Sequence, residues 1–131
     1  MKKLLLVMIL LLIAVSAVSA QDTVTLRLWA HQESAFNEGL QTIIDAYEAA
    51  HPNVSIELET FEYELYIQTL QTALPAGNEA DILELFGSWV CSYSDRLAPM
   101  PAGLVDTSVF YDAALDGYTC ADNVYGLPQE F

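Results

Sequence analysis

The sequence predicts an α/β protein built on a mainly parallel sheet, and three observations carry that prediction. Apolar and polar residues alternate at 24–28 and again at 54–58, the two-residue period of half-buried strands. Helix-period apolar stripes follow each of these runs, at 36–47 and 63–74. A third, more continuously apolar run occupies 82–86. The order is β-α-β-α-β, and such crossovers favour parallel strands with right-handed connections.

In the first strand Val24, Leu26 and Leu28 alternate with Thr25, Arg27 and Trp29. The first helix places Phe36, Leu40, Ile43, Ile44 and Tyr47 on one stripe. Ser34 serves as its N-cap, with Glu38 near the positive end of the dipole. His51, Pro52 and Asn53 stop it, because Pro disfavours helical geometry in the residue before it. Val54, Ile56 and Leu58 then alternate with Ser55, Glu57 and Glu59 in a second strand reaching Phe61. Tyr63, Tyr66, Ile67, Leu70, Ala73 and Leu74 form the next helical stripe, which ends at 75–78. Ile82, Leu83, Leu85 and Phe86 make the third strand. Beyond Gly87 the pattern predicts a short helix over 89–93, a Pro-rich loop at 99–101 and a helix over 108–115. A turn at 124–128 enters a final strand.

The chain begins with Lys2 and Lys3, an apolar run at 4–15, and small residues closing on Val18, Ser19 and Ala20. That is the layout of a secretory signal peptide over residues 1–20, cleaved before Gln21, with an uncleaved membrane anchor as the alternative reading. No Cys follows the apolar run to accept a lipid. The mean hydropathy of +0.31 is largely contributed by this leader. Its removal takes both lysines and leaves Arg27 and Arg96 against 18 acidic residues. Such a charge excludes nucleic acid, whose phosphates require Lys and Arg. It also disfavours anionic lipid. Residues 21–131 suffice for one core and not for two domains. Cys91 and Cys120, in an exported chain, read first as a disulfide, with two buried free thiols as the alternative. Closing about 30 residues contributes roughly 3–4 kcal/mol on the chain-entropy account.

Ligands of open parallel sheets bind beyond the carboxyl ends of the strands. That rule selects Trp29, His31, Gln32 and Glu33 past the first strand, and Glu62, Tyr63 and Glu64 past the second. Past the third lie Phe86, Gly87, Ser88 and Trp89. Aromatic faces pack on sugar C–H groups, and carboxylates and amides match hydroxyls, so the set suits a neutral polyol. A cationic ligand such as a polyamine fits the same groups, whereas an anion finds little fixed positive charge. Each residue also has a plain structural use. Trp29 and Tyr63 serve a core as readily as a ligand, Glu33 opposes a helix dipole, and Glu57, Glu59, Glu62 and Glu64 form a solvated face. No zinc-protease, nucleophile-elbow, phosphate-loop or dinucleotide motif occurs, and no metal-ligand spacing is evident. No cofactor is expected, and no catalytic residue is assigned.

The segments VTLRLWAHQE, YEAAHPNVSIELE, FEYELYIQTLQTALPAGNEADIL and VYGLPQEF, in that order, resemble one family. It is the carbohydrate-type extracellular solute-binding proteins of ABC importers, which includes maltose-binding protein. The resemblance implies a periplasmic-binding-protein-like lobe with helices on both faces of its sheet. It implies a two-lobed protein that closes on a sugar, possesses no enzyme activity and docks on a membrane permease outside the cytoplasmic membrane. The cleft turns map onto His31, Gln32 and Glu33, and onto Phe86, Gly87, Ser88 and Trp89, with Gln129 and Glu130 approaching from the last segment. Family members continue well past the point matching Phe131, so residues 21–131 read as an incomplete N-terminal lobe. The rival readings are an exported glycan-acting enzyme and a sensory sugar-binding domain.

Overall fold

A computed structural model describes residues 22–129; the predicted leader and Glu130 lie outside the described residues. The framework is a three-stranded parallel sheet. Strand β1 (Val24–His31) pairs with β2 (Val54–Phe61) over its full length, in register from Val24 opposite Val54 to His31 opposite Phe61. On its other side Leu28 and Trp29 of β1 pair with Ile82 and Leu83 of β3 (Ile82–Leu83). The strand order is therefore β2-β1-β3. The predicted parallel β-α-β-α-β start is present.

Strand alternation divides the apolar residues between two faces. Leu28, Ala30, Ile56 and Leu58 pack on helix α1 (Ser34–Ala50) through Leu40 and the buried Ile44. Trp29, Phe61 and Leu83 pack on helix α2 (Tyr63–Ala76) through Tyr66, Leu70 and Leu74. Helices thus cover both faces. Stepping from β1 out to β2 with one helix on one face, then back past β1 to β3 with the next on the other, gives two crossovers of the same hand. It also leaves the topological switch point between β1 and β3.

Several boundaries differ from the sequence-based expectations, each for a local reason. β1 continues two residues past Trp29, because β2 pairs with it as far as His31. Glu33, not Ser34, stands at the N-cap, in extended backbone and without a side-chain cap bond; Glu38 falls beyond the first turn. Only Ile44 of the α1 stripe is buried; Ile43 is 67% exposed, and the helix packs through Leu40 and Ile44 on residues of β1 and β2. Pro75 is accommodated inside α2, and the stop comes from Gly77 at φ 70°. There the Asn78 N–H returns to the Ala73 carbonyl, as in a Schellman close. β3 ends at Leu83, because the Glu84 side chain takes the next ladder donor on β1, the His31 N–H.

The segment after β3 forms a short helix α3 (Gly87–Val90) and a 3-10 turn (Cys91–Tyr93). The helix expected over 108–115 is divided. Asp106 caps a single 3-10 turn (Thr107–Val109) by accepting from the Ser108 N–H and hydroxyl, and Phe110 and Tyr111 are extended before α4 (Asp112–Asp116). Instead of a strand beyond 124, β4 (Thr119–Cys120) and β5 (Asn123–Val124) form a small antiparallel hairpin. Cys91 and Cys120 are disulfide-bonded, with Cα atoms 5.5 Å apart, so this hairpin is tied to the segment leaving the sheet.

Candidate functional site

Because the three strands are parallel, their carboxyl ends share one rim. His31, the last residue of β1, is followed there by Gln32 and Glu33, both exposed. Tyr63 opens α2 just past β2 and is 51% exposed. Past β3 come Glu84, Phe86 and α3, in which Ser88 is exposed and Trp89 half-buried.

Four of the sequence-selected side chains meet in one row. His31 and Tyr63 lie edge to face with centroids 6.0 Å apart, Tyr63 and Phe86 follow at 5.9 Å, and Phe86 and Trp89 at 5.4 Å. Tyr93 extends the row at 6.2 Å from Trp89. The contacts from His31 to Trp89 are T-shaped, a geometry that aromatic pairs favour. Trp89 is anchored from below by the Tyr66, Leu70 and Leu74 cluster. Gly87 is held by backbone packing, since a Cβ there would meet Gly117 at 3.4 Å.

Trp29 does not join this row. Strand alternation turns it to the α2 face, where its indole N–H donates to Glu59 at 3.0 Å and its edge meets Phe61. It lines a separate shallow groove with Leu65, Gln68, Thr69 and Thr72. The Gln32 backbone N–H bonds the Phe61 carbonyl at 2.6 Å, and the Glu33 carbonyl accepts the Asn37 N–H at 2.9 Å, so both turns are fixed by backbone while their side chains remain exposed. Glu130 lies outside the described residues.

Two residues at the switch point escaped the sequence reading. Glu84 bonds His31 twice, its Oε2 accepting the backbone N–H at 2.9 Å and its Oε1 lying 2.7 Å from Nδ1. Its signal was a single carboxylate interrupting the apolar run 82–86. Tyr66, read only as core, is fully buried with its hydroxyl 2.9 Å from the Trp29 carbonyl and 2.6 Å from that of Glu84. It thereby ties β1 to the segment leaving β3. Burial, reinforced by the Glu84 carboxylate, raises its phenol well above the ordinary range.

Fixed positive charge is spent elsewhere. Arg27 bonds the Glu79 carbonyl and pairs with Asp81, while Arg96 pairs with Glu79 at 3.1 Å and bonds the Leu74 carbonyl. Both therefore secure the loop that enters β3, at the opposite end of that strand from the rim. Among the described residues no group of three or more His, Cys, Asp or Glu side chains could hold a metal, and no helix is long and apolar enough to cross a membrane.

Comparison with known proteins places this architecture. A curated relative, an uncharacterized ABC transporter extracellular-binding protein of Pyrococcus horikoshii, is 24% identical over 120 residues, covering 87% of this chain and 28% of its own length. This chain thus spans little more than a quarter of that relative. Among solved structures, the GacH receptor of Streptomyces glaucescens superposes with a TM-score of 0.71 at 20% identity, over 82% of this chain and 29% of its own. The sugar-binding protein MalE of Xanthomonas citri gives 0.67 at 22% identity, over 79% and 28%. These likenesses establish a periplasmic-binding-protein-like fold. The family profile described as bacterial extracellular solute-binding protein matches residues 42–130, two-thirds of the sequence, and to that family the chain belongs.

Proposed function

We propose that this chain captures a carbohydrate outside the cytoplasmic membrane and, as the N-terminal lobe of a two-lobed binding protein, delivers it to an ABC permease. The observation that carries this reading is the row of rings from His31 through Tyr63 and Phe86 to Trp89 along one rim. Such a row offers flat apolar faces to sugar C–H groups, and Gln32, Glu33, Glu62 and Ser88 beside it match hydroxyls. Engagement of both arginines at the other end of β3 argues against an anionic ligand. Structural neighbours support the ligand class: a substrate-binding protein of Listeria monocytogenes is in complex with cycloalternan, another neighbour has mannotriose bound, and GacH is in complex with acarbose. The leader at 1–20 would supply export.

The test is a calorimetric titration of the full-length two-lobed protein with a panel of mono- to tetrasaccharides, followed by recovery of the sugar. Binding with the sugar returned unchanged supports capture; consumption of the sugar makes the protein an enzyme and ends the proposal. Glu33→Ala should weaken binding without lowering the melting temperature. For Trp89 the suitable variant is Trp89→Phe, because its ring also packs on the Tyr66 cluster and full truncation would confound binding with stability.

A further inference from the structure

The bond between His31 and Glu84 has a consequence for what the rim can accept. Glu84 receives the His31 backbone N–H on Oε2 and faces Nδ1 through Oε1, and both side chains are largely enclosed, at 16% and 22% exposed. An ionised carboxylate only accepts hydrogen bonds, so the nitrogen facing it carries the proton. In the neutral ring Nε2 is then the lone-pair nitrogen, while the hydrogen bonds of His31 among the described residues run through its backbone N–H and Nδ1. His31 also stands at the switch point between β1 and β3, beside the Tyr63 ring.

We infer that Glu84 is a positioning residue that fixes neutral His31 as the Nδ1–H tautomer and so presents Nε2 as a hydrogen-bond acceptor to the ligand. An acceptor there selects a free hydroxyl or N–H over an ether or carbonyl oxygen. For the identity of that donor, a sugar hydroxyl, the inference rests on the capture reading above.

Glu84→Gln discriminates sharply. An amide has one acceptor atom, and the His31 backbone N–H, which can only donate, claims it. The amide NH2 then donates to Nδ1 and moves the ring proton to Nε2. The experiment is nitrogen NMR of the His31 ring, read at a pH where its two nitrogen signals show a single ring proton, on the wild-type protein and the variant, with calorimetric titration of maltotriose and mannotriose at that same pH. The expected result is a protonated Nδ1 in the wild type, the reverse tautomer in Glu84→Gln, and binding of whichever trisaccharide is recognised weakened about tenfold, the scale of one hydrogen bond. A wild-type ring protonated at Nε2 overturns the inference, whether or not the variant folds. Reversal of the tautomer with unchanged affinity overturns the role of Nε2 toward the ligand. The expected tautomers with no member of the sugar panel bound by the full-length protein support the role of Glu84 and overturn the capture reading instead.

Discussion

Tyr66→Phe tests how the rim is held together. The phenol is fully buried, and its hydroxyl sits between the carbonyls of Trp29 and Glu84. Trp29 keeps a second donor, the Glu84 N–H at 2.9 Å, so the deletion strands chiefly the Glu84 carbonyl. Leaving one buried acceptor unpaired costs about 1–3 kcal/mol, with no cavity beyond the missing oxygen. A domain of this size should melt roughly 4–8 °C lower per kcal/mol lost. The raised phenol supplies a second signature. The folded state holds this proton above the ordinary value of 10.0, while the unfolded chain releases it there. Unfolding is therefore linked to proton release, and wild-type stability falls above pH 10 by about 1.4 kcal/mol per pH unit until the folded phenol ionises. Tyr66→Phe lacks that slope, so the two stabilities should converge as pH rises. Urea denaturation at pH 7, 9, 10 and 11 measures both effects, and no free cysteine is present among the described residues to confuse the alkaline points by disulfide exchange. A neutral-pH loss below about 0.5 kcal/mol, or a gap that stays constant from pH 9 to 11, would refute the reasoning.

Reducing the Cys91–Cys120 bond, which closes a 29-residue separation, should cost about 3–4 kcal/mol, read as a lower melting temperature in the presence of a thiol reductant. Gly77→Ala should destabilise by about 1–2 kcal/mol in chemical denaturation, because the residue sits at φ 70° and a Cβ would lie 2.6 Å from the Arg96 guanidinium. Asp122→Gly should stabilise by about 0.5–1 kcal/mol in the same assay, because Ala121 and Asp122 hold φ 48° and 69° in a two-residue hairpin that favours glycine. A loss on Asp122→Gly would mean that the Asp side chain contributes more than its backbone conformation costs.

The sheet and both long helices were legible because their signals are periodic and local. Val24 to Leu28 and Val54 to Leu58 alternate cleanly, and Leu70 and Leu74 keep their helical spacing into the core. The third strand was harder to delimit, since its length is set by a side chain: Glu84 substitutes for backbone in bonding His31, which no propensity encodes. The row of rings follows from the parallel rule plus chain order, so His31, Tyr63, Phe86 and Trp89 could be selected before their contacts were known. Trp29 could not be sorted in the same way. Its face depends on whether β1 stops there or continues to His31, and pairing with β2 decides that from a distance. Beyond Gly87 the elements run to five residues or fewer and are held by a disulfide, an Asp cap and close glycine packing rather than by a repeating pattern.

Among the described residues the strand order leaves β2 on the outside of the sheet, with eight residues of backbone along its outer side. A long outer strand is a template on which another chain can add itself, the first step toward aggregation. Glu57 and Glu59 are exposed along this one, so an incoming copy would bring its own carboxylates against them. Glu48 also accepts the Ile56 N–H of this strand at 2.6 Å, so acidic side chains both occupy part of its outer backbone and oppose the approach of a second acidic copy.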